Sequence, residues 1–221
     1  DLSDRYGIRY CGLPSDSTDR ADTYPLIIKA KGIRIAFINF TYGTNLGATA
    51  HWPKTNYLGR TSEVQQAMDR AREADIVIAL PHWGPEYQTE HSASQEEKAR
   101  WLADLGADLI IGAHPHVVQD TASIHGVPVI YSMGNAVSNM SAPDTQLELM
   151  VTVRVMRHGN GDIELTGPEL TWLWCSRPGG YCSSYAVIPV EGFIGTREEW
   201  IGAWEYDKMM ATYERIRNRR Q

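Results

Sequence analysis

The chain has 221 residues, 43% of them hydrophobic and 22% charged, which is enough apolar material for a real core and excludes a disordered polymer. A formal charge of −6 and a pI of about 5.6 argue against nucleic-acid binding, which needs a basic face to neutralise phosphates. No run approaches the ~20 apolar residues of a membrane span, and the first residues show no signal-peptide pattern.

Residues 33–40 read as a buried strand, short, rich in β-branched and aromatic residues and bounded by glycines. Residues 41–60, with Gly43, Gly47, Pro53 and Gly59, read as a long loop. A helix follows from Thr61, with Val64, Ala67, Met68 and Ala71 on one face. Residues 74–80 are predicted as a second strand ending at Pro81. A second helix over 94–105 turns Ala99, Leu102 and Ala103 inward and stops at Gly106. Residues 108–112 and 127–132 give two more strands. Apolar runs without alternation imply strands covered on both faces, as in a layered α/β sheet.

After residue 146 the pattern changes. Leu147, Leu149, Val151, Val153 and Val155 alternate with other residues, as in a half-exposed strand, and Gly159-Asn160-Gly161 turns the chain back through 163–165. Further strands are expected at 170–174 and 185–190, and a closing helix over 196–219. That helix carries Arg215, Arg217, Arg219 and Arg220 as a solvated basic end, favoured by the helix dipole. Trp83, Trp101, Trp172, Trp174, Trp200 and Trp204 read as core and interface residues rather than a platform for a sugar or peptide ligand. Cys175 and Cys182 flank a turn-rich stretch that suits either a local disulfide in an oxidising compartment or two reduced thiols.

Chemistry in an open α/β sheet gathers at the carboxyl ends of its strands. Strand 74–80 empties into Pro81-His82-Trp83-Gly84-Pro85-Glu86, strand 108–112 into Ala113-His114-Pro115-His116, and strand 127–132 into Met133-Gly134-Asn135. Neighbouring strands lie about 4.8 Å apart, so polar tips from adjacent ends can converge. If Pro115 keeps its segment extended, His114 and His116 point to one side, where His82 can join them. Three imidazoles suit a divalent transition metal (Mn, Zn or Fe) that activates water for hydrolysis. Glu86 is read as a general base, a partner that orients an imidazole, or a plain loop carboxylate. Asn135 could bind substrate oxygens or cap its turn, and Tyr42 and Asn45 could line the same cleft. His51, His91, His125 and His158 lack such context and read as surface residues.

These motifs resemble the bacterial capsule-synthesis CapA (poly-γ-glutamate) family. The resemblance rests on residues 39–45, the stretch 75–87 with His82-Trp83-Gly84-Pro85-Glu86-Tyr87, the stretch 106–119 ending His114-Pro115-His116-Val117-Val118-Gln119, and the stretch 129–135 ending Met133-Gly134-Asn135; it covers roughly residues 1–140. It implies an α/β fold similar to calcineurin-like metallophosphoesterases: a metallophosphatase-like sandwich of two mixed β-sheets flanked by helices, with a dinuclear metal site. His82 would correspond to the isolated metal-binding histidine, and His114 and His116 to the paired motif. The family pattern also has an earlier half with an Asp-bearing strand end, an acidic motif and an Asn-Asn-His motif. None of these stands here, so the chain reads as the C-terminal portion, with residues 1–8 as the helix just downstream. Residues 1–145 would then be the C-terminal part of the metallophosphoesterase-like domain, and 146–221 its sheet-completing strands and final helix. Ala136 stands where an aromatic more often follows the Gly-Asn pair. The expected role is capsule or poly-γ-glutamate biosynthesis at the cell envelope, extracytoplasmic or anchored through a segment not in this sequence. It would be met by a metal-dependent hydrolase, or alternatively by a non-catalytic component that binds capsule polymer or other capsule-synthesis proteins. Sheet edges left unpaired by the absent half would favour a homodimer.

Overall fold

The structure is a computed structural model that describes residues 5–45, 47 and 51–219, the side chains of 21–23 apart. Residues 1–4 of the expected first helix, and Arg220, lie outside the described residues. Asp16 caps a short helix α1 (Ser17–Thr23) by accepting from the backbone N–H groups of Thr18 and Asp19. Strand β1 (Leu26–Ala30), which the sequence reading left unassigned, pairs antiparallel with β2 (Ile33–Thr41) through a tight turn at Lys31 and Gly32. The chain then crosses through α2 (Thr61–Ala71) to β3 (Ile76–His82), and through α3 (Ala93–Asp104) to β4 (Leu109–Ile111). Ser92 and Gln95 close a capping box at the start of α3, and Gly106 turns the chain beyond its end. A hairpin of β5 (Thr121–Ile124) and β6 (Val127–Ile130) completes a sheet ordered β1-β2-β3-β4-β6-β5. Its four central strands are parallel and its two edge strands antiparallel.

Both faces of this sheet are buried, which is why its strands carry apolar runs instead of alternation. On one face Ala36, Ile38, Phe40, Val77, Ala79, Ile110 and Val129 pack with Val64, Ala67 and Met68 of α2 and with Ala99 and Leu102 of α3. On the other, Ile76, Ile78, Leu109 and Ile130 meet Leu147, Leu149, Trp172, Trp174 and Ile188. These last belong to a second, antiparallel sheet of β7 (Leu147–Arg157), β8 (Ile163–Ser176) and β9 (Ala186–Pro189). The architecture is therefore the expected α/β pair of sheets flanked by helices, one sheet mixed and the other antiparallel.

Four sequence expectations change in this second half. The strands expected at 163–165 and 170–174 are one strand, β8, whose Gly167-Pro168 interruption is absorbed where the register with β7 shifts between Thr152 and Arg154. The final helix begins at Ala203, not at residue 196, and runs as α4 (Ala203–Asn218). Before it, Trp200 has extended backbone and packs edge-on against Tyr181, Phe193 and Tyr206. Trp204 is 62% exposed and so stands outside the core, while Trp83, Trp172, Trp174 and Trp200 are core as expected. The buried carboxylate of Glu205 ties α4 to the second sheet, accepting from Gln146 Nε2 (2.9 Å), Ser176 Oγ (2.6 Å) and the Arg177 backbone N–H (3.1 Å). The basic end of α4 is partly engaged and not simply solvated. Arg215 pairs with Asp144, and Arg219 donates to Thr89 Oγ1 at 2.8 Å. Cys11, Cys175 and Cys182 are free thiols. Among the described residues no helix is long and apolar enough to cross a membrane.

Candidate functional site

The carboxyl ends of β3, β4 and β6 lie side by side, and the loops leaving them are locked together below the surface. Trp83, directly after β3, is buried and donates from Nε1 to the carbonyl of Tyr131 after β6, 2.9 Å away. Gly112, directly after β4, lies in that contact. A Cβ there would stand 2.1 Å from the Tyr131 carbonyl oxygen and 2.4 Å from Trp83 Nε1, so only glycine lets the three strand ends close up.

Above this floor His82, His114 and His116 gather as expected. The rings of His82 and His114 are 4.7 Å apart, and those of His114 and His116 are 5.7 Å apart. Tyr42 lies 4.5 Å from the His114 ring and stacks on His82 at 6.3 Å, so it joins the cluster. Asn45 stands exposed in a turn further along that loop. The extended His-Pro-His segment expected from sequence is replaced by a bent one: His114 has φ +107° and His116 φ +61°. Left-handed backbone at non-glycine residues costs of order 1–3 kcal/mol each and persists only where the surroundings impose it. Here the Tyr87 N–H donates to Pro115 O at 2.8 Å, and Asn135 Nδ2 donates to His116 O at 3.2 Å.

Asn135 also sets the chemistry of His116. Its Nδ2 donates to both His116 O and Thr145 O, which leaves Oδ1 as the acceptor facing His116 Nδ1 at 2.9 Å. His116 therefore carries its proton on Nδ1 and presents the Nε2 lone pair outward, as a metal-ligating imidazole must. Glu86 Oε1 lies 3.9 Å from that Nε2. Glu86, His114 and His116 each offer one donor atom, all within 4.8 Å of one another; among the described residues this is the one such group of three. Donors of this class sit about 2.0–2.2 Å from a zinc-like ion, hence about 3–4.4 Å from each other, so the group fits one ion after small side-chain rotations. His82 stands beside this group, and Glu86 occupies the place expected for a third imidazole. Burial holds both His82 and His114 below the usual histidine range. At His114 the Glu86 carboxylate opposes this and a proton gained by His116 would add to it, and at His82 a proton gained by His114 or His116 would add to it. Both are thus kept in the neutral, lone-pair-bearing form.

A cleft of about 390 Å³ opens beside Tyr42, floored by Trp83 and Pro85, with Ser92, Ser94 and Lys98 along it. Two features of the neighbourhood escaped the sequence reading. Tyr87 packs 6.0 Å from the His116 ring. His91, expected at the surface, is half-buried: it lies flat on Tyr131 at 3.9 Å and pairs through Nδ1 with Asp120 at 2.6 Å. A histidine after a polar run gives no signal of a partner 29 residues away. His125 and His158 are exposed, paired with Asp104 and Glu164.

A family model described as "Bacterial capsule synthesis protein PGA_cap" matches residues 1–140. The PGA biosynthesis protein CapA of Bacillus subtilis (strain 168) is 32% identical over 140 residues, 62% of this chain and 37% of the relative. The capsule biosynthesis protein CapA of Bacillus anthracis is 30% identical over 140 residues, 61% of this chain and 34% of that protein. The chain thus spans about a third of the length of these curated relatives. A sulfate thiohydrolase SoxB structure from Thermus thermophilus superposes with a TM-score of 0.41 at 17% identity, covering 87% of this chain and 29% of the other, too loosely to bear on chemistry. The matched stretch holds the ends of β3, β4 and β6 and every member of the histidine cluster, and by it the chain belongs to the bacterial capsule synthesis protein (PGA_cap) family.

Proposed function

We propose that this chain serves capsule or poly-γ-glutamate biosynthesis at the cell envelope as a metal-dependent hydrolase domain, acting on a phosphoester or on an amide-linked envelope polymer. The observation that carries this reading is the convergence of Glu86, His114 and His116 at the carboxyl ends of parallel strands. The names of the relatives, PGA and capsule biosynthesis, support the pathway.

Glu86, His114 and His116 would hold a divalent transition ion, Mn, Zn or Fe. When bound, the ion supplies Lewis-acid polarisation of the bond to be broken. The rest falls to the chain. Asn135 fixes the His116 tautomer and ring direction, so its role is to orient a ligand rather than to touch substrate oxygens. His82 sits next to the group, its ring desolvated enough to be held neutral, and is placed to accept a proton from an attacking water or to complete the ligand set. Tyr42 forms the wall between the histidines and the cleft, where the substrate would lie beside Trp83 and Lys98. The described residues account for one ion.

Elemental analysis after incubation with Mn and Zn, on the wild type and on His114→Ala, tests this. About one transition ion per chain, lost in the variant, is the expected result and opens a screen on chromogenic phosphoesters and amides. No ion in either protein would sink the hydrolase reading and leave an envelope component that binds polymer or synthase partners.

A further inference from the structure

The loop carrying Glu86 and the segment carrying His114 and His116 are joined by a pair of buried amides. Gln119 is 0% exposed and Gln95 1% exposed. Gln119 Nε2 donates to the backbone carbonyls of Gln88 and Glu90, both at 3.0 Å. Its Oε1 accepts from Gln95 Nε2 at 2.7 Å. Gln95 Oε1 in turn accepts from the Ser92 backbone N–H (3.0 Å) and hydroxyl (3.2 Å) at the start of α3. Each amide thus has both its ends bonded, and every bond leads into residues 88–95. The next residue continues the seam, since Asp120 accepts from the His91 backbone N–H at 2.9 Å.

This seam closes around Glu86 from two sides. Upstream, the Gln95 amide fills the space a Cβ on Gly84 would take, 2.5 Å away, two residues before Glu86. Downstream, Tyr87 is anchored to Pro115 and residues 88–90 to Gln119. Glu86 itself is half-exposed, and its side-chain partner on the loop is Tyr87, which is held in turn to Pro115. Its distance from His114 and His116 is therefore set by these anchors. Packing alone would be met by an apolar pair in the same space, so two buried amides each bonded at both ends point to a demand for geometry.

We propose that Gln119, backed by Gln95, is a positioning residue that sets the separation of the Glu86 carboxylate from the His114 and His116 imidazoles and so the ion affinity of the group. This rests on the metal reading above. Groups that orient metal ligands typically contribute about 10- to 100-fold in affinity.

Cobalt(II), titrated into the 221-residue chain and followed by its visible d–d absorption, is the probe. In Gln119→Leu the dissociation constant should rise about 10- to 100-fold and the band should shift as Glu86 leaves the coordination sphere. Met68→Ala, a cavity in the core behind α2, should lower the melting temperature and leave cobalt affinity and band unchanged. If Gln119→Leu does not fold, Gln119→Asn, which keeps the amide but withdraws it by one methylene, should show the same loss. A folded Gln119 variant with wild-type affinity and band would overturn the positioning role alone. A wild type that gives no cobalt band would overturn the metal reading and this role with it.

Discussion

Glu148 lies on β7 beside the bridge to Gly134, 3% exposed, its Oε1 without a hydrogen-bond partner among the described residues. Burial pushes its carboxyl from an ordinary 4.5 up to about 8. The sign of the consequence follows from linkage: below about pH 4.5 both folded and unfolded chains carry the proton and nothing is lost. As pH rises the unfolded chain ionises first, so stability erodes until about pH 8, where the folded carboxyl ionises too. Glu148→Gln should therefore gain on the order of 1–3 kcal/mol over wild type at pH 8 and much less at pH 5. Urea unfolding at the two pH values measures this, and an equal difference at both would refute it. The histidines show how far single residues were legible. His82, His114 and His116 were marked by position at strand ends, but the left-handed backbone at His114 and His116 was not. It is imposed by Tyr87 and Asn135, 28 and 19 residues from the histidine-bearing segment's Pro115 and His116, through bonds that spacing cannot reveal.

Among the elements, α3 carries the most consequence, because its first turn holds both the cap and Gln95. Ser92→Ala removes the oxygen that accepts from the Gln95 backbone N–H (3.3 Å) and one donor to the Gln95 side chain. A loss of about 1 kcal/mol is expected from the cap alone. It should be read as a lower melting temperature with the fold intact by circular dichroism; an unchanged melt would show that the cap is idle. The elements that sequence made plain share one physical property. β2, β3 and the two crossover helices each bury a full face, so their apolar patterns are strong. β1 and β5 are short edge strands with half-exposed patterns, and both fell below that signal. α4 was drawn too long because Trp200 and Ile201 happen to keep helical spacing, although Trp200 packs in an aromatic cluster and Ile201 is 67% exposed.

For the whole molecule, the division at residue 145 separates two parts of one packed body. The face of the first sheet that bears Ile76, Ile78, Leu109 and Ile130 is covered by Leu147, Leu149, Trp172 and Trp174, and the same core takes in Met209 and Tyr213 of α4. A chain ended at Thr145 would leave that face in water, an apolar patch a monomer rarely tolerates. It should lose cooperative melting, bind a hydrophobic dye and elute as aggregate in size-exclusion chromatography. A monodisperse species with a sigmoidal melt would show instead that the first part stands alone.

Glu86 leaves β3, His114 and His116 leave β4, and Asn135 leaves β6, so no one segment of chain holds the group together. An ion seated there would bridge strand ends that only the folded sheet brings together, and so would bind the folded chain in preference to the unfolded one. Its free concentration would then act on the folded population of the entire chain by mass action: at a hundredfold excess over the dissociation constant the folded state gains about 2.7 kcal/mol. Scarcity of the ion in the surroundings would lower how much folded protein persists, before any question of turnover arises.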